Sequence, residues 1–212
     1  VHDSYLINIG SPKPDAREKS VVSLIDEAKR VETLGLTKLV LHPGSHLKQI
    51  SEEECIELIA AGINKVINAS NSVELLIETT AGQGSNIGYT FNQLKDIISQ
   101  INDYSRVGVC FDTCHVFSSG YGLSTKDGYK NTMSEFDKII GFSFLKAVHL
   151  NDSKNEYNSR KDRHENIGDG YIGIEAFKKI MQDPRFDEIP MILETPNEEI
   201  WEEEIKMLYS FV

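Results

Sequence analysis

The sequence predicts an α/β fold of the TIM-type (β/α) barrel class, and two observations support this prediction. Apolar runs of strand length alternate with longer segments whose apolar residues keep helical spacing. This alternation is typical of repeated β-α units around a parallel sheet. Histidines and acidic residues stand at or just past the ends of the apolar runs. In a barrel of parallel strands, side chains at the strand ends converge on one catalytic face.

Six apolar runs are strand candidates. They are rich in Val, Ile and Leu without strict alternation, as expected for strands buried on both faces. The first is partial, and they cover residues 5–9, 38–42, 74–79, 107–112, 145–150 and 190–194. A closed barrel of this class has eight strands. We therefore predict six parallel strands in an incomplete barrel, with segments 5–9 and 190–194 not paired to each other. The N-terminal units before His2 are expected to be missing, and the chain alone is expected to be unstable or insoluble.

Helical segments lie between the strand candidates. Residues 16–34 keep helical apolar spacing, and Gly35 ends that run. Ser51 and Glu54 form a capping box ahead of an apolar helix, and Thr90 and Gln93 form a second one. Further helices are expected at residues 127–140, 174–181 and 198–209. No linker or low-complexity stretch interrupts the alternation, so residues 1–212 are expected to form a single barrel domain.

Composition restricts the class of protein. The chain has 40% hydrophobic and 26% charged residues, with no apolar run long enough to cross a bilayer and no signal-peptide pattern. Three cysteines, an odd count, argue against a disulfide framework and favour a reducing, intracellular location. A net charge of −11 at first argues against a nucleic-acid ligand. Bound divalent metal ions would offset part of that charge and make one face locally positive.

Nine ionisable residues are candidate metal ligands. Each alone has an ordinary explanation: a capped loop histidine, a turn stabilised by an aspartate, or a buried ion pair. Their presence together at the ends of so many strands indicates a multinuclear metal site. The candidates are His2, His42, Glu78, Asp112, His115, His149, Asp162, His164 and Glu194. His46 is the exception, because it lies within a loop, and Cys110 and Cys114 are expected to pack in the core.

Two loop features have open interpretations. The glycine-rich stretch 81–86 is not a nucleotide-binding P-loop, because no lysine follows its glycines. Either its amides approach a phosphate or it is a tight turn after a strand. Basic residues also lie in loops expected on the metal face. Such residues are usually just solvated, but residues 160–164 also include two candidate ligands, which favours contact with substrate phosphate. These basic residues are Lys48, Lys154, Arg160, Lys161 and Arg163.

Six strings in order resemble the endonuclease IV family of apurinic/apyrimidinic endonucleases, and the resemblance covers essentially the whole chain. They are HPGSHL, ETTAGQGSN, VCFDTCH, VHLNDSK, DRHENIGDGYIG and ILET. The resemblance implies a zinc-dependent hydrolase of the deoxyribonuclease IV type. Such an enzyme cleaves the phosphodiester 5′ to an abasic site in double-stranded DNA and trims blocked 3′ ends. We expect a monomer with no membrane partner.

The resemblance also implies a ligand set for three zinc ions, with manganese as a possible substitute. His2 and His42 would hold the first ion, and Glu78 would bridge it to the second. Asp112, His149 and Glu194 would complete the second, and His115, Asp162 and His164 would hold the third. Glu78 and Glu194 are the candidate catalytic carboxylates. Tyr5 and Leu6 resemble the side chains that enter the DNA minor groove, and Arg163 is a further candidate DNA contact. Thr79 departs from the family, which most often has Asn at this position.

Two other functions stay open at this point. A sugar isomerase or epimerase of the same barrel class also carries ligands at strand ends, but it usually needs fewer of them. The set of His115, Asp162 and His164 is the feature that distinguishes the two enzyme classes. The other alternative is a non-catalytic fragment that binds DNA lesions, which an incision assay would distinguish.

Overall fold

The computed structural model describes all residues from 1 to 212, which form two compact units. Unit 1 consists of Val1–Thr80 and Gly84–Cys110, and unit 2 consists of Ala81–Gln83 and Phe111–Val212. None of the helices combines the length and the apolar composition that a membrane span requires. The prediction of a single barrel domain over residues 1–212 stays a prediction.

Unit 1 alternates helices and parallel strands. Its helices are α1 (Pro14–Thr33), α2 (Glu52–Ala69) and α3 (Phe91–Ile98), and its strands are β1 (Lys38–Leu41), β2 (Glu74–Glu78) and the first part of β3 (Val107–Asp112). The strand order is β1-β2-β3, and both pairs are parallel, with Lys38 opposite Glu74 and Leu75 opposite Val107. Nearly all residues of β2 and β3 are buried, as predicted for strands covered on both faces.

The first hydrogen bond of each predicted capping box is present in unit 1. Ser51 accepts a hydrogen bond from the backbone N–H of Glu54, and Thr90 accepts one from Gln93. The Gln93 side chain does not complete the predicted box; its Oε1 accepts from the N–H groups of Gly88 and Tyr89 instead. Those two donors precede the helix and need partners, since buried backbone N–H groups are rarely left unpaired.

Unit 2 contains the end of β3 and the rest of the chain. Its helices are α4 (Thr113–Ser118), α5 (Lys126–Ile139), α6 (Ile174–Met181) and α7 (Trp201–Tyr209). Its further strands are β4 (Leu145–Leu150), β5 (Asp152–Ser153), β6 (His164–Glu165) and β7 (Met191–Leu193), in the order β3-β4-β7 with a separate β5-β6 pair. Strand β7 pairs parallel to β4, with Val148 opposite Met191. Unlike β3, whose six residues are all buried, the three-residue strand β7 has no buried residue, and Ile192 is 40% exposed.

The prediction of a strand at residues 5–9 is wrong, and the parallel sheet has five strands rather than six. This segment forms two turns, closed by hydrogen bonds from Ile7 N to Ser4 O and from Ser11 N to Asn8 O. The Asn8 side chain also accepts from Gly10 N and Ser45 N. Asparagine favours such turns because its side chain competes for backbone donors. The only bridge to β1 from this part of the chain is made by His2, opposite Val40.

The other five strand candidates are confirmed within one or two residues at their ends. The helical candidates are confirmed too, although residues 198–200 form a 3₁₀ turn before α7. The sequence did not predict α4 or the short antiparallel pair β5-β6. Both are too short for a recognisable periodicity, and both carry candidate metal ligands.

Candidate metal centre

Three candidate ligands of unit 1 meet around one carboxylate oxygen. Glu78 Oε2 lies 2.8 Å from His2 Nε2 and 3.2 Å from His42 Nε2. Glu78 ends β2, His42 directly follows β1, and His2 is bridged to β1. Because β1 and β2 are parallel neighbours, their carboxyl ends lie at the same edge. We refer to His2, His42 and Glu78 as group 1.

The charge state of group 1 is set by buried polar contacts. Burial lowers the pKa of the His2 imidazole, but hydrogen bonds to Asp3 and Glu78 and the charge of Glu78 outweigh it and raise that pKa to about 10. Burial raises the pKa of the Asp3 carboxyl. His2 Nδ1 lies 2.9 Å from the backbone oxygen of Asp3. This contact directs Nε2 towards Glu78, as ligating histidines are commonly oriented by a partner of their other nitrogen.

A second set of candidates lies in unit 2 at the ends of three strands. His149 Nδ1 lies 3.1 Å from Glu194 Oε2 and 3.9 Å from Asp112 Oδ2. Asp112 ends β3, His149 lies within β4 and Glu194 directly follows β7. Asp112 and His149 are buried, whereas about a third of the Glu194 side chain is exposed. We refer to Asp112, His149 and Glu194 as group 2.

The third set also lies in unit 2 and has the spacing of a zinc site. His115 Nε2 is 3.0 Å from Asp162 Oδ1, and His164 Nε2 is 3.5 Å from His115 Nε2 and 3.6 Å from Asp162 Oδ1. Donor atoms of a tetrahedral zinc site lie about 3.3 Å apart, because each is about 2.0 Å from the ion. We refer to His115, Asp162 and His164 as group 3.

Local structure explains how group 3 is brought together. Asp112 Oδ1 accepts the backbone N–H of His115 at 2.7 Å and so caps α4, which carries His115. His164 lies in β6, opposite Ser153 of β5, and its Nδ1 is 3.1 Å from the backbone oxygen of Glu194. Asp162 is held by its backbone N–H, which donates to Gln83 Oε1 at 3.1 Å. Each ligand therefore has a partner that orients it.

The donor chemistry of the three groups fits zinc. All nine donors are imidazole nitrogens or carboxylate oxygens, both of which bind zinc in proteins. His46 lies outside the groups, with Nδ1 3.2 Å from the Ile50 carbonyl. The three cysteines are buried. Cys114 lies within ligand distance of Asp112 and His164, but burial raises the pKa of its thiol to about 12.

The candidate DNA contacts are exposed. Tyr5 and Leu6 occupy the tip of the turn closed by Ile7 N and Ser4 O, with 88% and 75% of their surface accessible. Arg163 is also exposed and directly precedes His164. In the glycine-rich stretch, Gly82 and Gly84 have positive φ angles of 73° and 71°, a backbone conformation that glycine adopts without steric cost.

Sequence reasoning missed several residues that support the ligands. Asn151 and Thr113 form a buried hydrogen-bonded set beside Asp112. Gln83 anchors Asp162, and Asp3 contacts His2. The available signal was position, since Asn151 and Thr113 are polar residues directly after apolar strand runs. Hydrogen bonding by such residues depends on contacts over about 40 positions of sequence, which periodicity does not reveal.

Known proteins are similar to this chain over essentially its whole length. Residues 1–211 match the family model described as "Xylose isomerase-like TIM barrel", which confirms the predicted fold class. The probable endonuclease 4 of Campylobacter hominis is 56% identical over 211 residues, covering 100% of this chain and 75% of the relative. The probable endonuclease 4 of Chlorobium phaeovibrioides is 56% identical over 209 residues, covering 99% of this chain and 75% of that relative.

Solved structures give a similar result. Endonuclease IV from Thermus thermophilus superposes with a TM-score of 0.86 at 32% identity, covering 100% of this chain and 74% of that one. A D-tagatose 3-epimerase-like protein superposes with a TM-score of 0.80 at 21% identity, covering 100% of this chain and 75% of that one. At that identity the second likeness concerns the fold alone.

Proposed function

Because the chain belongs to the endonuclease IV family of apurinic/apyrimidinic endonucleases, we propose that it cleaves the phosphodiester 5′ to abasic sites in double-stranded DNA with three zinc ions. The enzyme class is a hydrolase that acts as a nuclease. Trimming of blocked 3′ ends and a monomeric state belong to the same proposal. The observation that carries it is the clustering of all nine candidate ligands into groups of imidazole and carboxylate donors.

The three groups are the proposed zinc ligands. Group 1 would hold one ion in unit 1, and groups 2 and 3 would hold one each in unit 2. When bound, zinc supplies activation of water and neutralisation of charge on phosphate oxygens, and manganese suits the same donors. The buried Glu78 carboxylate holds His2 and His42 on one oxygen, and that fixes the spacing of group 1.

Glu78 and Glu194 are the proposed catalytic carboxylates, with different exposure. Glu78 is 1% exposed, and its proposed role is to bind metal as a member of group 1 beside His2 and His42. The Glu194 side chain is 34% exposed, so it is accessible to a substrate. Its backbone and side chain are both held, by Asn151 and His149. A carboxylate held in this way keeps one orientation as charge develops on the reacting phosphate.

The exposed turn and the basic loops are the proposed DNA contacts. A side chain that wedges between base steps must be apolar and exposed. Tyr5 and Leu6 meet both conditions at the tip of a turn. A sugar without a base has lost its stacking, so displacing it from the duplex costs less than displacing an intact nucleotide. Arg163 and its basic neighbours Lys154, Arg160 and Lys161 would contact phosphates, which position the protein without reading sequence.

The sugar isomerase or epimerase alternative is less well supported. It accounts for the barrel but leaves group 3 without a role, although group 3 has the donor spacing of a zinc site. A duplex with a single abasic-site analogue tests the three functions together. Incision 5′ to the site that is abolished by a chelator supports the nuclease. Binding without incision supports a lesion-binding fragment, and zinc-dependent sugar epimerisation supports the isomerase.

The decisive variant in this assay is Glu194→Gln, with Glu203→Gln as its matched control. Glu203 is an exposed carboxylate of α7 outside the three groups. The proposal predicts at least a hundredfold loss of incision rate for Glu194→Gln and no change for Glu203→Gln. Equal rates for both variants would contradict the assignment of Glu194.

A further inference from the structure

Asn151 is a fully buried amide that connects two strands of unit 2. Its Nδ2 donates to Asp112 Oδ2 at 2.6 Å, and its Oδ1 accepts from the backbone N–H of Glu194 at 2.8 Å. Asn151 directly follows β4, whereas Asp112 ends β3 and Glu194 follows β7. One side chain therefore contacts two members of group 2 that come from separate strands.

The direction of this bridge is determined by its ends. A backbone N–H only donates, so the oxygen of the Asn151 amide must face Glu194 and the nitrogen must face Asp112. A carboxylate of the same shape has no donor for Asp112. A hydroxyl side chain is too short to span both partners. The site therefore requires an amide at this position.

Thr113 fixes the backbone on which this amide sits. Its hydroxyl donates towards the carbonyl of Asn151 at 2.7 Å and accepts from the backbone N–H of Asn151 at 2.9 Å. The same hydroxyl lies 3.3 Å from the backbone oxygen of His149. The Thr113 hydroxyl therefore holds the backbone of Asn151 next to Asp112 and next to the candidate ligand His149.

The Asp112 carboxylate is consequently held at both oxygens. Oδ1 accepts from the backbone N–H of His115 at 2.7 Å, and Oδ2 accepts from Asn151 Nδ2 at 2.6 Å. With both oxygens occupied, the carboxylate plane cannot rotate without breaking a buried hydrogen bond. Oδ2 remains directed towards His149 Nδ1 at 3.9 Å and His164 Nε2 at 3.7 Å.

We propose that Asn151 is a positioning residue that orients Asp112 and Glu194 as metal ligands of group 2. The inference rests on the proposed metal ligation and adds a residue that is not itself a ligand. Partners of ligating residues typically change metal affinity by about 10- to 100-fold when they are removed. The effect of losing Asn151 should therefore appear in zinc binding at one site before it appears in folding.

The test compares Asn151→Asp and Asn151→Ala with the control Asn166→Asp. Asn166 is also buried, and its Nδ2 donates to the Glu204 carboxylate at 3.0 Å, but neither residue belongs to a ligand group. Each metal-free protein is titrated with zinc against a competing chelator, and its thermal unfolding is recorded without metal. Metal-free unfolding measures any purely structural role, because no ligation contributes to it.

Wild type is expected to bind three zinc ions tightly, and both Asn151 variants are expected to bind two tightly and one at least tenfold more weakly. The control Asn166→Asp is expected to lose about as much metal-free stability as the Asn151 variants, but to keep three tight zinc sites. Three tight sites in both Asn151 variants would overturn the positioning role and leave the proposed function intact. Failure of wild type to bind zinc would overturn both proposals. Retention of three sites by Asn151→Asp but not by Asn151→Ala would overturn the requirement for an amide donor.

Discussion

Asp112 Oδ1 accepts the backbone N–H of His115 at 2.7 Å, so one candidate ligand begins the helix that carries another. The D-x-x-H spacing in the sequence is thus an N-cap as well as a pair of ligands. Asp112 Oδ2 remains for group 2, and His115 Nε2 faces Asp162 in group 3 at 3.0 Å. Two neighbouring donor groups of unit 2 are therefore coupled through one carboxylate.

The first prediction concerns Glu78. Replacement by Ala removes the oxygen that lies 2.8 Å from His2 Nε2 and 3.2 Å from His42 Nε2. Incision of the abasic duplex is expected to fall to background, because group 1 loses its only carboxylate. The assay is run beside Glu203→Gln at equal protein and zinc concentrations. Activity within about threefold of wild type would contradict the role of Glu78.

The second prediction concerns group 3. His164→Ala removes one of three donors whose mutual distances are 3.0, 3.5 and 3.6 Å. Elemental analysis is expected to give one zinc ion fewer per chain than wild type, together with a large loss of incision. His46→Ala is the control, since His46 lies outside the groups. An unchanged zinc content in His164→Ala would remove the feature that distinguishes the nuclease from the isomerase class.

The third prediction concerns the exposed turn. Tyr5→Ala and Leu6→Ala are expected to fold normally, because these side chains are 88% and 75% exposed. Binding to a duplex with an abasic site should weaken by tenfold or more, whereas binding to the intact duplex should change little. The two affinities are measured at one stated salt concentration, since phosphate contacts depend steeply on salt. Equal losses on both duplexes would show that the side chains do not act as wedges.

The fourth prediction concerns the stability of the segment that follows β4. The buried Asp152 carboxylate accepts four backbone N–H groups, from Ser153, Gly168, Ile172 and Gly173. Asp152→Ala leaves these donors without their acceptor, and we expect a loss of about 3 kcal/mol in the free energy of unfolding. Denaturant unfolding of the metal-free protein measures it. A loss below about 0.5 kcal/mol would place Asp152 among ordinary surface substitutions.

Periodicity and turn chemistry predicted most of the fold. Five of the six strand candidates are present. Parallel strands that are buried on both faces are apolar along nearly their whole length, and this makes them recognisable in a sequence. Segment 5–9 also reads as apolar, yet Asn8 accepts two backbone donors and folds it into turns. Local side-chain competition for the backbone therefore overrode the apolar pattern.

The ligand residues were predictable from position, whereas their supports were not. Strand ends located His149 and Glu194 because parallel strands bring their carboxyl ends together. Asn151 was missed although it lies two residues after His149, since its role depends on partners 39 and 43 residues away. Gln83 was missed for the same reason, because its contact with Asp162 spans 79 positions.

Zinc content and incision, measured on the same preparation, test the central claim most directly. The purified chain is loaded with zinc, dialysed and analysed for metal, then assayed on a duplex with one abasic-site analogue with and without a chelator. The account predicts three zinc ions per chain and cleavage 5′ to the lesion that disappears with the chelator. One zinc ion or none after loading, or incision that is unaffected by complete removal of metal, would contradict it.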